Sequence, residues 1–364
     1  VQWCDEETLS FLTFCLGLQP RAPVLLAATL RDDGGPDDAA LADWVAHLRA
    51  SGMLTDLALG PFDEKDTARL AEALRGGPLP DPERGLLAAV TGGFPLHVVE
   101  AMRAVGRGSL PEGDLAAVLR NRLGQAGPAA QEIAEIAAAV GRDVTLDLLA
   151  VAADLDTDGV VAAVDELWRR RILREHGDGG ESYDFSHDLL RDAAYARLSP
   201  PRRWLLHRRV AQGLELLHAD DLDPVAAQLA EQYARGGRPE HAVAHYRRAA
   251  DVAAGVFAHA EAIRLHSAAL EIIRARPPGP DRDRRELAVL EAMAAPLNAR
   301  YGYASSALQG VLERSIELAE SLGRADSLVD GLVGLFASRF VQGRTRAAHE
   351  VAARALALAA PGSE

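Results

Sequence analysis

At 364 residues the chain is too long for one ordinary core and suits two or three compact units. It is 48 % hydrophobic and 25 % charged, which excludes a disordered or fibrous chain, and the excess of alanine and leucine over aromatics (5 %) favours helix. A net charge of −14 makes the whole chain a poor nucleic-acid binder, because phosphate contacts come largely from lysine and arginine, although Arg169-Arg170-Arg171 or Arg202-Arg203 could supply a local basic patch. Its two cysteines, Cys4 and Cys15, show neither CxxC nor metal-ligand spacing, which points to a reduced, cytoplasmic setting. No apolar run reaches the length of a membrane span, so no membrane contact is expected.

In chain order, Leu9, Leu12 and Leu16 share one helical face after an acidic first turn. Gln19-Pro20-Arg21-Ala22 then turns the chain into Val24–Thr29, whose continuous apolar character predicts a buried parallel strand. A Gly/Pro/Asp loop over 32–38 leads to a helix through Leu41, Trp44, Val45 and Leu48, and Met53–Leu59 reads as one more strand. From Asp63, a plausible N-cap, the pattern is helical: one helix carries Leu70 and Leu74, a second spans Arg84–Val90, and a third starts at Pro95. Gly106–Gly113 breaks the pattern before Leu115–Leu123.

Three helical segments follow, Ala129–Val140, Leu146–Ala152 and Gly159–Arg170. Ile172–Glu175 and Ser182–Phe185 then flank His176-Gly177-Asp178-Gly179-Gly180-Glu181, a hairpin signal, so 127–200 is expected to be a winged helix. Beyond it, Ala230, Tyr233, Gly237, Ala242, Tyr246 and Ala249 match the small–large spacing of a tetratricopeptide (TPR) repeat. Ala262, His266 and Ala269 repeat the second-helix spacing less well, and Gly343, Ala348, Ala352 and Ala355 repeat it again. Pro277-Pro278-Gly279-Pro280 interrupts the array; a plain alanine-rich bundle is the competing reading.

Three constellations carry candidate chemistry. Thr29 and Arg31 close the first apolar run, and the C-terminal ends of parallel strands are where open α/β sheets bind ligands. An arginine there can stabilise charge on a transferring phosphoryl group, although alone it serves equally to solvate a strand end. Thr91-Gly92-Gly93-Phe94-Pro95-Leu96 is a tight turn into a helix that begins on proline. Phe185-Ser186-His187-Asp188 sits at a strand–helix junction, where a histidine can also simply cap or pack. His241 and His245 are spaced for a metal on one helix face but lack an acidic third ligand.

With Trp3-Cys4-Asp5 upstream of the first apolar run, these features resemble the signal-transduction ATPases of the STAND class. The likeness extends to the bacterial transcriptional regulators of the LuxR (MalT-like) and SARP types. It implies a mainly α chain in four parts: the remnant of a parallel α/β P-loop NTPase sheet (1–60), a helical lid (61–126), a winged helix (127–200) and a TPR-like α-solenoid (201–364). It implies a sensor role for Arg31 with Thr29, and nucleotide contacts from Gly93, Pro95 and His187, the last to the β-phosphate of ADP. In such proteins ATP or ADP binds with magnesium. No Gly-x-x-x-x-Gly-Lys-Ser/Thr loop occurs here, and Lys65, the one lysine, has no glycine run before it. The Walker B acidic pair would fall before Val1. The resemblance therefore implies a C-terminal fragment that binds no nucleotide tightly and is no ATPase by itself. Its repeats would meet a protein partner or small-molecule inducer, with self-association possible and DNA reached only through a domain outside this chain. The same module in a signalling enzyme (adenylate cyclase or protein kinase), or a stand-alone TPR adaptor, are the alternatives.

Overall fold

A computed structural model describes residues 4–18, 25–30, 39–105, 115–153, 155–176 and 182–359. Contacts group the chain into two compact units, one of residues 1–56, 226–230 and 239–364, the other of 57–225 and 231–238. The fold is mainly helical, as expected. None of the described helices is long and apolar enough to cross a membrane.

Helix α1 (Glu6–Leu18) and helix α2 (Ala39–Ala50) open the first unit, joined by a hydrogen bond from Trp44 Nε1 to Thr13 Oγ1 (2.8 Å). The expected parallel strands are a correction. Residues 25–30 and 53–59 are irregular, with Leu25, Leu57 and Leu59 each more than four-fifths exposed. A parallel strand is held by hydrogen bonds from neighbouring strands and by helices over both faces, and no strand flanks either stretch among the described residues. Local apolar character alone does not make a sheet.

The second unit begins with four helices, α3 (Glu64–Arg75), α4 (Asp81–Thr91), α5 (Pro95–Val105) and α6 (Leu115–Gly124). Asp63 caps α3 by accepting from Asp66 N (2.7 Å), as its sequence position suggests. Thr67, Ala68 and Ala71 are buried, Leu70 packs partly buried against the core, and Leu74 is about half exposed. Ala71, Leu79, Leu87, Val98, Ala101 and Met102 form the core of this group.

Helix α7 (Pro128–Val140) then leads to β1 (Val144–Thr145), α8 (Leu146–Ala152), α9 (Thr157–Arg169), β2 (Leu173–His176), β3 (Ser182–Phe185) and α10 (Asp188–Ala196). The helices and hairpin expected over 127–198 are present. The short β1 was not foreseen; it pairs with β3 and completes an antiparallel sheet of order β1-β3-β2. Ile133, Ile136, Leu149, Leu167, Ile172 and Leu190 are fully buried in this group.

Helix α11 (Pro200–Leu217) packs on α7 and α8 within the same unit, and Gly213 lets it approach Leu148 and Val151 closely. After α12 (Ala226–Arg235), the helices α13 (Pro239–Gly255), α14 (His259–Arg274), α15 (Pro280–Tyr301), α16 (Ser306–Ser321), α17 (Ala325–Val341) and α18 (Thr345–Ala359) each pack on the next, giving repeat-like packing. Ala242, Tyr246 and Ala249 are buried on α13. Glu286, buried on α15, accepts from Arg274 on α14 and Arg314 on α16, so one carboxylate ties three successive helices.

Candidate functional site

The turn from α4 into α5 is built around two left-handed glycines, Gly92 (φ 59°) and Gly93 (φ 73°). Gly93 is confined from two sides. Its carbonyl accepts from Phe62 N (2.8 Å), and a Cβ placed on it would lie 2.1 Å from Phe62 O. Thr91, buried, donates its hydroxyl to Leu87 O (2.7 Å) and accepts from Gly93 N (3.3 Å). His97 Nδ1 lies 3.0 Å from Thr91 O; a carbonyl only accepts, so Nδ1 carries the proton. Pro95 is the first residue of α5, where its missing N–H costs nothing, and it is exposed.

About one and a half turns further along α5 comes Glu100, fully buried. Its Oε1 accepts from Arg103 Nη1 (2.8 Å) and lies 3.1 Å from His187 Nε2, and its Oε2 pairs with Arg122 on α6. Arg122 is also buried, and its Nη2 donates to the carbonyls of Arg170 (2.6 Å) and Arg171 (3.1 Å) just past the end of α9. Those carbonyls carry the negative end of the α9 dipole, so one guanidinium is compensated by a carboxylate and a helix terminus together. Arg171 holds a left-handed conformation (φ 54°) at this point.

His187 is the N-cap residue of α10, and its side chain is only 9 % exposed. Burial, then Arg122 and Arg103, push its pKa down to about 4, with Asp188 opposing. The ring is therefore neutral at physiological pH. Burial also lowers Arg122 to about 10, which leaves it charged at neutral pH. Two guanidiniums already balance Glu100, so a further proton on His187 would add an uncompensated charge. The cluster links α5 and α6 to the end of α9 and the start of α10.

A second buried network lies in the same unit. Tyr195 Oη and His207 Nε2 are 2.8 Å apart, His207 Nδ1 and Gln232 Oε1 2.7 Å, and Gln232 Nε2 donates to Ala139 O at 2.9 Å. Because the Gln232 amine faces a carbonyl, its oxygen must face His207, so Nδ1 donates and Nε2 accepts from the tyrosine hydroxyl. Burial lowers the His207 pKa, in keeping with this neutral tautomer.

Gly93, Pro95 and His187 thus belong to one compact unit, with Glu100 between the glycine turn and the histidine. Thr29 is exposed and belongs to the other unit, and Arg31 lies outside the described residues. The sequence reading missed Glu100, Arg103 and Arg122. A signal for Arg122 was present: Val118, Leu119 and Leu123 surround it on one helical face, so its position is a core position. No group of three or more His, Cys, Asp or Glu side chains is placed to hold a metal among the described residues. The sequence has no phosphate loop, and the one candidate phosphate ligand, His187, is enclosed by Glu100, Arg103 and Arg122.

No family model matches the chain. An uncharacterised protein of Rhizobium meliloti (strain 1021) is 27 % identical over 342 residues, which cover 88 % of this chain and 32 % of that protein; the chain therefore spans about a third of this relative's length. Among solved structures, a STAND protein with a tetratricopeptide repeat sensor from Pyrococcus horikoshii matches over 84 % of this chain and 55 % of its own, at 11 % identity and a TM-score of 0.31. BtubC from P. vanneervenii matches over 64 % of this chain and 91 % of its own, at 16 % identity and a TM-score of 0.25.

Proposed function

We infer that this chain is the lid, winged-helix and repeat portion of a STAND-class signal-transduction regulator, and that its parent is a bacterial transcriptional activator. The observation that carries the reading is the buried Glu100–Arg122–His187 cluster. It fixes the start of α10, just past the end of the central strand β3, against the helix that Gly93 and Pro95 initiate. Gly93, Pro95 and His187 are the nucleotide-facing residues in this reading, with ATP or ADP and magnesium supplied a site by a phosphate loop outside the chain. Thr29 and Arg31 are its sensor pair. The helices α13–α18 are its sensing surface, for a protein partner or an inducer, and DNA is reached through another domain. The reading places the chain in the cytoplasm.

Glu100 gives the reading a mechanism. With no phosphate near, its carboxylate holds the neutral His187 ring in place by contact. A phosphate approaching that ring competes with Glu100 for the same nitrogen and for the two guanidiniums. Magnesium–ADP titrated calorimetrically into the full-length product of the gene should bind, and His187→Ala should weaken binding about tenfold, or roughly 1.4 kcal/mol. A full-length product that shows no heat with magnesium–ADP would sink the reading.

A further inference from the structure

Both ring nitrogens of His187 are buried and neither forms a well-aligned hydrogen bond, although Glu100 Oε1 stands 3.1 Å from Nε2. A carboxylate oxygen only accepts, so the single proton of the neutral ring belongs on Nε2, facing it. Nδ1 is then a bare lone pair in the protein interior. A phosphate oxygen also only accepts. It cannot bond to the ring in this state, because Nδ1 offers no proton and the Nε2 proton already faces Glu100.

Glu100 is not free to give way. It is fully buried, accepts from Arg103 Nη1 at 2.8 Å and is paired with Arg122. Arg122 is in turn held by the carbonyls of Arg170 and Arg171. Moving the carboxylate away would strand a buried guanidinium, which is among the costlier changes inside a protein. A second proton on the ring avoids that cost. An imidazolium donates from both nitrogens, so it serves Glu100 and a phosphate at once, and the phosphate brings the negative charge that balances it. The charges facing the ring are Glu100 and Arg103 from α5, Arg122 from α6 and Asp188 from α10 itself. Those that α7 and β3 bring to α10 are engaged elsewhere, Glu132 and Glu135 with Arg202 and Asp184 beside His176. Before a phosphate arrives, burial and the two guanidiniums hold the ring's pKa at about 4, so it starts neutral.

We propose, resting on the nucleotide reading above, that a nucleotide phosphate binds at His187 together with one proton taken from solvent onto Nδ1, while Glu100 stays in place as the acceptor for Nε2–H. The competition between phosphate and Glu100 for the ring is settled by protonation. Binding then tightens as the pH falls, up to tenfold per unit between the ring's pKa without phosphate and its higher value with it.

Calorimetry of magnesium–ADP with the full-length product of the gene, between neutral and mildly acidic pH and in buffers of low and high ionisation enthalpy, counts the protons taken up. His187→Asn and His187→Gln carry amides that donate to a phosphate but take no proton, and asparagine is also a favoured N-cap residue. The nucleotide's own protonation is common to all three proteins and cancels in the comparison. The parent should take up more protons per ADP than either variant, with the excess approaching one as the pH falls, and its affinity should rise with acid more steeply than theirs. Equal uptake in parent and variants, with ADP bound, overturns the proposal and leaves the nucleotide reading standing. A parent whose affinity does not rise as the pH falls overturns it whatever the variants do. No heat in the parent at any pH ends both.

Discussion

Replacing Glu100 with leucine would leave Arg122 buried without its counter-charge. Breaking a buried pair from one side costs about 3–5 kcal/mol, because the stranded charge cannot recover its hydration. Arg103 is a third exposed and should behave differently: Arg103→Ala removes one arm of the cluster from a water-accessible place and should cost no more than about 1 kcal/mol. Urea unfolding midpoints of the two variants test this, and equal losses would show that the Arg122 contact is not what stabilises the junction. His187 adds a pH dependence of definite sign. Its pKa is lowered on folding from 6.5 to about 4, so the unfolded chain binds the proton more readily. The stability this gives is complete above pH 6.5 and is lost as the pH falls through 4, by up to about 1.4 kcal/mol per pH unit. His187→Gln should flatten that part of the profile; superimposable profiles for parent and variant would refute the assignment. At this scale the sequence was legible in part. The glycine turn showed itself through Gly93 and Pro95, because glycine and proline act on their own backbone. Glu100 did not, because a carboxylate in a helix reads as solvated until Arg122 and His187, far along the chain, are known to meet it.

Helices were legible where their period was local. The segments over 127–198 appear near the places the apolar spacing gave, and Asp63 caps as its chemistry requires. The hairpin strands β2 and β3 were legible too, but the two parallel strands were not: 24–29 and 53–59 carry the composition of a sheet interior, no strand lies beside 25–30 or 53–59 among the described residues, and strand identity belongs to the sheet rather than to the segment. Between helices, the network from Tyr195 through His207 and Gln232 to Ala139 joins α10, α11, α12 and α7. Gln232→Leu would strand both the His207 Nδ1 donor and the Ala139 carbonyl; at about 1–3 kcal/mol for each buried group left unsatisfied, the loss should exceed that of an ordinary polar substitution. On α13 the small residues are the sensitive ones. Ala249→Leu should overpack the contact with α14 at about 1–3 kcal/mol, and Tyr246→Ala should leave a hole costing about 3 kcal/mol or more, whereas exposed Arg247→Ala should barely move the melting midpoint. Identical melting for all three would mean that these helices do not pack as repeats.

Across the whole molecule, the chain groups into two units whose borders differ from a simple reading along the sequence: residues 61–126 and 127–200 share a unit, and the first helix of the region taken as repeats, α11, joins them. That grouping bears on catalysis. Phosphoryl transfer is almost entirely positioning and electrostatic stabilisation, and it needs a loop of backbone amides and a lysine around the β- and γ-phosphates. Lys65, the one lysine, is exposed in the first turn of α3, preceded by Phe62-Asp63-Glu64 rather than by glycines, and its acidic neighbours repel a triphosphate. Arg103 and Arg122, the arginines beside His187, are committed to Glu100. The purified chain should therefore release no phosphate from magnesium–ATP above a buffer control. A turnover that co-purifies with the chain through a further column, and that falls in Glu100→Leu or His187→Ala, would place a complete catalytic site within these residues and defeat the reading of this chain as one part of a larger switch.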